Sequence, residues 1–428
     1  MSQRTAAPLV ALRHRDFRLF WAGRLLSILG SQMQFTALSW HVYQLLQGDS
    51  FTFALLGRSV TLQADALGLG GLGLARFFPL VFFGLWGGIL ADTRNRRTLL
   101  LWTQAVSAIL GGVLALLTFT GYITVPLIYF LTTIMAAATA FDNPARQAIV
   151  PNLVPKEHLT NALSLTNLMF QIGGIAGPGL AGWLIGRFNV GVVYAVDAFS
   201  FALLMGFIWM MAYQGHAAAS RSQVGWQSLV EGIRFTLSQR IIRGSMVLDF
   251  WATFFSSART MLPLVADDLL KVGVEGYGLL STAQPLGAVV AGLVLSFRRD
   301  IRRQGLVLLV SVVIYGLATM AFGFATAFWL SFFLYALTGA ADTVSTVIRN
   351  TMRQLLTPDG LRGRMTSVNM IFFMGGPQLG ELEAGMVAAA FGVPVAIWTG
   401  GLATVLIAIY IARRYPDLRH YLMENTKG

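Results

Sequence analysis

The chain of 428 residues contains no cysteine and only 5 histidines. Without cysteine it can form neither a disulfide nor a thiolate metal site. The histidines are scattered along the chain and show no metal-ligand spacing. They are His14, His41, His158, His216 and His420. We therefore expect no metal and no cofactor.

Charge is also scarce. Charged residues make up 12% of the chain and hydrophobic residues 55%, whereas an average soluble domain has about 25% charged residues. A soluble protein of this length could not bury so much apolar surface. The composition therefore predicts an integral membrane protein.

Two kinds of motif are absent from the sequence. No Gly-x-x-x-x-Gly-Lys-Ser/Thr phosphate loop occurs, so ATP is not the expected energy source. Nothing resembles a nucleophile elbow or a catalytic triad. We therefore expect a carrier driven by an ion gradient and not an enzyme.

Most of the basic residues that give the chain its net charge of +12 fall on one side of the predicted membrane. Of 31 Lys and Arg residues, only Arg58, Arg187 and Lys271 fall on the opposite side. The exceptions within helices are Arg24, Arg76 and Arg259. By the positive-inside rule the basic side is cytoplasmic, with both termini on it. This pattern explains the charge without a nucleic-acid partner, and the basic N-terminus, which has no cleavage site, is expected to be retained.

Long apolar segments predict twelve membrane spans. We place them at about 17–43, 70–91, two within 98–141, 159–186, 191–213, 243–266, 276–297, two within 304–349, 367–391 and 394–412. Residues 48–65 are expected to form a polar external loop. Asn143-Pro144 is expected to end span 4, because proline disfavours helical geometry at the preceding residue.

The polar centre of the chain divides it into 1–212, a linker at 213–240, and 241–428. In the linker Trp226, Val230, Ile233 and Leu237 share one face of a short helix. We interpret it as a cytoplasmic helix at the membrane surface, the alternative being a calmodulin-like partner site.

An internal repeat supports two halves. A shift of 207 superposes Asn143, Arg146, Gln147 and Pro151 on Asn350, Arg353, Gln354 and Pro358.

The segment Gly88-Ile-Leu-Ala-Asp92-Thr-Arg-Asn-Arg96-Arg97 resembles a loop pattern of the major facilitator superfamily. That pattern is Gly-x-x-x-Asp-Arg-x-Gly-Arg-Arg/Lys, from which Thr93 and Asn95 depart. The segments 142–147 and 378–383 look most like the bacterial branch that includes the enterobactin exporter and related multidrug efflux carriers. The resemblance implies an all-α membrane protein of twelve transmembrane helices in two six-helix pseudo-repeats.

The resemblance also implies roles for charged loop residues. In the family they form a cytoplasmic gate that latches one conformation, with Asp92 expected to stabilise the outward-facing state. Asp142 is expected to pair with Arg96 or Arg146. The alternative is that the basic loops only orient the helices. The expected gate residues are Gly88, Asp92, Arg96, Arg97, Asp142 and Arg146.

Span 5 contains Gly173, Gly177, Pro178 and Gly182. This spacing resembles the Gly-Pro motif that the superfamily's antiporters carry on the same helix, which favours export over import. The alternative is close helix packing, because small residues four apart let helices approach.

Charged residues inside the predicted spans are costly unless they have a partner or a function. Those we single out are Arg24, Arg76, Asp249, Glu381 and Glu383. Asp197 and Asp342 are expected nearer the helix ends. All three lie at similar depth, and the resemblance to the superfamily implies that helix 2 packs against helix 11, so Arg76 should meet one of the two glutamates. The other glutamate would then be a proton carrier, the alternative being a permanent structural ion pair.

Together these features predict a proton-coupled exporter of small amphipathic molecules, drugs or siderophores, working by alternating access. Its partners would be that substrate, protons and the lipid bilayer. It is expected to be a monomer in the bacterial cytoplasmic membrane. The alternatives are a proton-coupled uptake permease for a metabolite, a lipid flippase and a transport-dead sensor.

Overall fold

The computed structural model describes residues 9–55, 58–215, 226–298, 301–358 and 361–422. Helices dominate it. Six long helices make up the first half of the chain, and they correspond to predicted spans 1 to 6. They are α1 (Arg15–Leu46), α2 (Ala64–Thr93), α3 (Arg96–Phe119), α4 (Val125–Ile149), α5 (Leu159–Arg187) and α6 (Val190–Met210).

The second half begins with the linker helix α7 (Trp226–Ser238). Its apolar residues Val230, Ile233 and Leu237 are exposed, as expected of a helix that lies on a membrane surface. Seven helices follow. They are α8 (Arg240–Phe255), α9 (Gly273–Phe297), α10 (Gln304–Phe324), α11 (Phe328–Leu356), α12 (Arg362–Phe391), α13 (Val393–Arg414) and the short α14 (Pro416–Arg419).

The segment after α1, which the sequence predicts to be a polar external loop, contains a β-hairpin. Strand β1 (Ser50–Leu55) pairs antiparallel with β2 (Arg58–Gln63), with Ser50 opposite Gln63. The hydroxyls of Thr52 and Thr61 are 3.1 Å apart across the ladder. Alternating polar and apolar residues in both strands favour this pairing over a coil.

The end of α4 differs from the prediction. Helix α4 continues through Pro144 to Ile149, so the expectation that Asn143-Pro144 ends it is wrong. Proline removes one backbone hydrogen bond, but in an apolar environment unwinding would lose several more with no water to replace them.

Predicted span 7 is interrupted. After α8 the chain forms a 3-10 turn at Ala258–Met261, a short helical turn at Leu262–Leu264 and a π-helical turn at Val265–Leu269. Side chains of neighbouring helices donate to backbone carbonyls at the break: Tyr315 Oη donates to the Ser256 carbonyl at 3.3 Å, and Thr404 Oγ1 donates to the Ala252 carbonyl at 3.2 Å. Irregular backbone is tolerated where protein atoms supply hydrogen bonds.

Within the described residues, nine helices are long and apolar enough to cross a membrane. Helices α1, α8 and α12 occupy the positions of the remaining predicted spans. The fold is therefore an all-α membrane bundle, consistent with twelve spans.

The chain forms two compact units. Unit 1 comprises residues 1–41 and 78–222, and unit 2 comprises 42–77 and 223–428. The outer parts of α1 and α2 thus belong with the C-terminal helices. Each unit has an apolar core, which in unit 1 includes Phe17, Leu100 and Ile149 and in unit 2 includes Leu248, Val312 and Ile348.

Candidate transport site

Unit 1 contains a cavity of about 270 Å³ among its helices. On helix α1, Arg24, Ser31 and other polar residues recur at helical spacing, so they form a polar stripe along one face of the helix. The lining combines charged, amide, hydroxyl and apolar side chains. It consists of Arg24, Ile28, Ser31, Gln32, Gln104, Ser107, Thr139, Asp142, Asn143, Arg146, Phe170 and Phe201.

Asp142 is the anionic residue of this lining, and it is only 3% exposed. It forms an ion pair with Arg146, one turn later on α4. Its Oδ1 also accepts hydrogen bonds from Thr103 Oγ1 at 2.9 Å and Gln104 Nε2 at 2.7 Å. The predicted pairing of Asp142 with Arg146 is confirmed, and α3 supplies two further donors that stabilise the charge.

Arg24 lies in the same cavity, and no carboxylate pairs with it within the part of the chain that the structure describes. Its guanidinium carbon is 5.7 Å from the centroid of the Phe170 ring on α5. A cation over an aromatic face is attracted by the ring's electrons, but this is weaker than a buried ion pair. Arg24 is therefore a buried cation that a ligand could reach from the cavity.

The predicted gate loop is only partly described. Gly88 and Asp92 belong to the backbone of α2, and the Asp92 side chain lies outside the part of the chain that the structure describes. Asn95 caps α3 by accepting from the backbone N–H groups of Arg97 and Thr98. This capping explains why Asn is suitable where the family pattern has Gly, because asparagine is among the best N-caps.

The two arginines after Asn95 contact neighbouring backbone. Arg96 is buried, and its Nη1 donates to the carbonyl of Ala148 at 3.2 Å. Arg97 Nη2 donates to the carbonyl of Trp209 at 2.8 Å. These bonds fasten the start of α3 to the ends of α4 and α6, where helix carbonyls carry partial negative charge.

The glycine motif of α5 faces α1. Side chains at Gly173 and Gly177 would collide with Ile28 and Gln32, and a Cβ on Gly177 would lie 2.5 Å from Gln32 Cβ. Pro178 and Gly182 are buried in the same helix. The motif therefore brings α5 against the cavity-lining face of α1.

Unit 2 contains a charged triad in which two members, Arg349 and Asp249, are buried and the third, Asp342, is partly exposed. Arg349 on α11 pairs with Asp249 on α8, and its Nη2 lies 3.7 Å from Asp342 Oδ1. Asp342 is near the middle of α11 (Phe328–Leu356), so its expected location at a helix end is wrong. The central position is acceptable because Arg349 neutralises part of the acidic charge.

The triad and the unit 1 cavity are related by the internal repeat. A shift of 207 superposes Arg349 on Asp142. Arg24 and Asp249 are each the tenth residue of their helices, α1 and α8. At each of these two positions, one repeat therefore has an acidic residue where the other has a basic one. In unit 2 the two groups pair, whereas in unit 1 Asp142 pairs with Arg146.

Arg76 meets Glu381, as predicted. Arg76 Nη1 is 3.7 Å from Glu381 Oε2, and both side chains belong to unit 2. Thr260 also hydrogen-bonds to the glutamate. Close approach of α2 and α12 depends on Gly73, where a Cβ would lie 2.7 Å from that of Glu381.

Glu383 is half-buried on α12. Among the residues that the structure describes it makes no hydrogen bond or ion pair. Two residues correspond to about 200° around a helix, so Glu383 cannot share the face on which Glu381 meets Arg76.

A polar cluster at the end of α1 was not expected from the sequence. The hydroxyl oxygen of Tyr43 lies 2.7 Å from Asp267 Oδ2 and 2.9 Å from Asp268 Oδ1, so its single proton is shared between the two carboxylates. Burial raises the pKa of Asp268, which lies beyond predicted span 7, and the Tyr43 hydrogen bond opposes that rise. The sequence did contain one indication of this cluster, namely two adjacent acidic residues directly after a long apolar segment.

A bundle of membrane-spanning helices that encloses a charged cavity is the architecture of a solute carrier, and the chain is a multi-pass membrane transporter. The chain belongs to the transmembrane secretion effector family of the major facilitator superfamily, because that family's model matches residues 6–424.

Among its relatives is the enterobactin exporter EntS of Escherichia coli (strain K12). The two are 25% identical over 410 residues, which cover 95% of this chain and 94% of the relative. The same protein from Shigella boydii serotype 4 is also 25% identical, with the same coverage. The relationship therefore extends over nearly the full length of both chains.

Solved structures share the fold. The nucleoside transporter NupG, as a mutant, superposes with a TM-score of 0.72 at 14% identity, covering 94% of this chain and 100% of that chain. A bacterial homologue of the human lysosomal transporter Spinster gives a TM-score of 0.72 at 12% identity, with 98% and 100% coverage. These confirm the predicted major facilitator fold.

Proposed function

We propose that this transporter is a proton-coupled exporter of small amphipathic molecules, drugs or siderophores, working by alternating access. The observation that carries the proposal is the unit 1 cavity, where Arg24 lies over Phe170 beside the Asp142–Arg146 pair. A molecule with an aromatic body and an anionic group would satisfy both the apolar wall and the cation.

Export is supported by two observations. The Gly173–Gly182 segment resembles the antiporter motif and packs on the cavity face of α1. A relative of nearly equal length is an enterobactin exporter. An exporter needs an energy source, and a proton gradient is available across the bacterial cytoplasmic membrane.

Glu383 is the proposed proton carrier of unit 2. Its neighbour Glu381 is held by Arg76, which favours the charged form. Glu383 has no such cation among the described residues and is only half-buried. A carboxylate of this kind can take up a proton and release it as the helices move.

We further propose a monomer in the cytoplasmic membrane with both termini in the cytoplasm. The positive-inside distribution supports this orientation, and the exposed apolar face of α7 supports a position at the membrane surface. The gate formed by Gly88, Asp92, Arg96, Arg97, Asp142 and Arg146 would then lie on the cytoplasmic side.

The test is transport in proteoliposomes with an imposed pH gradient. The probes are carboxyfluorescein as an aromatic anion, ethidium as a cation and a catecholate siderophore. We expect the pH gradient to drive one of these uphill, and a protonophore to abolish that accumulation. Movement that is unaffected by the protonophore would contradict proton coupling.

The same vesicles separate the alternatives. A fluorescent phospholipid tests flippase activity, and accumulation of an amino acid or nucleoside tests metabolite uptake. Transport of either, with no transport of the three amphipathic probes, would replace the proposed function. Absence of all transport by folded protein would favour the sensor.

A further inference from the structure

Asp197 is a buried carboxylate that no role described so far includes. It is the eighth residue of α6 (Val190–Met210) and is 0% exposed. At 1.5 Å per residue it lies about 10 Å from the helix start. The expectation that it lies near a helix end, where charge costs little, is therefore wrong.

Neither carboxylate oxygen of Asp197 has a hydrogen-bond partner within the described part of the chain. Its neighbour Ser200 does not help, because the Ser200 hydroxyl donates to the backbone carbonyl of Asp197 at 2.7 Å. An isolated carboxylate in such surroundings is strongly destabilised relative to its protonated form. Burial without a partner therefore indicates a neutral carboxyl group.

The position of Asp197 is set by a glycine on α1. A Cβ added at Gly30 would lie 2.8 Å from Asp197 Oδ1 and 2.5 Å from Ser200 Oγ. Ile28 and Ser31, on either side of Gly30, line the unit 1 cavity, as does Phe201, one turn after Asp197. The carboxyl thus lies directly behind the wall of the proposed transport cavity.

The charged and titratable groups on the helices around Asp197 are placed elsewhere. On α1, Arg15, Asp16 and Arg18 lie at the start of the helix and Tyr43 lies near its end, beside Asp267 and Asp268. Between them are Arg24, over Phe170, and His41, whose Nδ1 is 3.1 Å from Tyr194 Oη on α6. Helix α3, which packs on α6 through Gly111 and Ala198, carries charge only at its start, at Arg96 and Arg97. Helix α5 carries Arg187 at its end.

We infer that Asp197 is a second proton-binding site, in unit 1, which holds a proton while the cavity wall is closed and exchanges it when water enters. This inference rests on the proposed proton coupling and deepens it. On opening, the O–H bond of the carboxyl breaks and the proton passes to a water molecule in the cavity, leaving the carboxylate. The reverse transfer reloads the site on closing.

Infrared spectroscopy of the purified protein in lipid tests the site without any substrate. We expect a carbonyl stretching band of a protonated carboxyl at neutral pH, part of which is absent in Asp197→Asn. The matched control is Asp417→Asn, at an exposed ion pair with Arg240, which should leave the band unchanged. If Asp197→Asn fails to fold, Asp197→Glu should shift the band.

Two outcomes would overturn the inference. One is a band that is unchanged in both Asp197→Asn and Asp197→Glu. The other is a band that does not shift when the protein is transferred to heavy water, because a transported proton must exchange with solvent. A purely structural buried carboxyl would not show that exchange.

Transport then separates this inference from the proposed function. We expect folded Asp197→Asn to exchange the transported probe down its own gradient but to lose accumulation driven by the pH gradient. Full pH-driven accumulation by that variant would overturn the role of Asp197 and leave proton-coupled export intact. If the wild-type protein shows no pH-driven transport, the proposed function fails, while the infrared result still decides whether Asp197 binds a proton.

Discussion

The buried cations of this transporter differ in their partners, and that difference suggests what each one does. Arg349 meets two carboxylates and Arg76 meets one, whereas Arg24 lies over an aromatic ring in the cavity. A cation that is already neutralised holds helices together. A cation facing a cavity is better placed to hold a ligand.

Arg24→Gln should reduce transport of the anionic probe by about ten- to a hundredfold, because a charge-assisted contact contributes about 1.5–3 kcal/mol and about 1.4 kcal/mol is a factor of ten. Arg24→Lys should retain part of the activity. The measurement is the transport rate in proteoliposomes, and Arg94→Gln at an exposed position is the control. Unchanged transport by Arg24→Gln would exclude the residue from the binding site.

Asp142→Asn and Arg146→Gln should each destabilise the protein strongly, because breaking a buried pair costs about 3–5 kcal/mol. Exchanging the two residues, as Asp142→Arg with Arg146→Asp, should recover part of that loss. The measurement is thermal unfolding in detergent. If the exchange is no more stable than the worse single variant, the pair does not act as a unit.

Glu381→Gln and Glu383→Gln should have different effects. The first leaves Arg76 without its carboxylate and should reduce stability as well as transport. The second should leave stability nearly unchanged and abolish the response of efflux to the proton gradient. Efflux rates with and without a protonophore, measured beside unfolding temperatures, test this, and wild-type efflux from both variants would remove support for coupling at this site.

At the scale of helices, glycine positions set how closely the cavity walls approach. The α5 glycines lie against α1, and Gly73 of α2 lies against α12. Proline, by contrast, does not interrupt α4 or α5. In an apolar environment the cost of losing backbone hydrogen bonds therefore sets these helix boundaries more strongly than local propensity does.

Gly177→Ala should destabilise unit 1 by about 1–3 kcal/mol, because the added methyl group has no space beside Gln32. A methyl group added at Gly112 of α3 would meet nothing within 4 Å. Gly112→Ala is therefore the matched control and should be neutral or slightly stabilising, since alanine is the better helix former. Equal unfolding temperatures for the two variants would contradict the packing role of the motif.

At the scale of the whole molecule, most of the net charge of +12 is concentrated in segments expected on the cytoplasmic side. Such loops orient the helices during insertion. Asp92 stands out there because an acid contributes nothing to that orientation. Its position in the family's loop pattern favours a role in the conformational change.

Asp92→Asn should slow transport strongly while insertion and expression stay normal, because the loss of one acid leaves the basic loops intact. The measurement is the probe efflux rate normalised to the amount of protein in the membrane. Asp49→Asn, just before β1, is the control. Normal transport by Asp92→Asn would contradict the gate role.

Much of the architecture was readable from the sequence. The order of the apolar helices and the linker helix follow from apolar length and periodicity, which depend on neighbours along the chain. The internal repeat follows from matching residues at a fixed shift. The Arg76–Glu381 contact was also predictable, because two charges at equal depth in adjacent helices lower each other's cost.

Other features depended on the tertiary structure. The sequence allowed Asp142 to pair with Arg96 or Arg146, and the choice depends on how α3 and α4 pack. The Tyr43 cluster joins residues more than 200 positions apart. From the sequence, Asp197 was expected near a helix end, where its charge would cost little. Only the packing of α1 on α6 shows that it is buried with no hydrogen-bond partner among the described residues. Composition and periodicity determine which segments enter the membrane. Side-chain pairing between helices depends on how the helices are rotated and which of their faces touch, and no local pattern in the sequence encodes that.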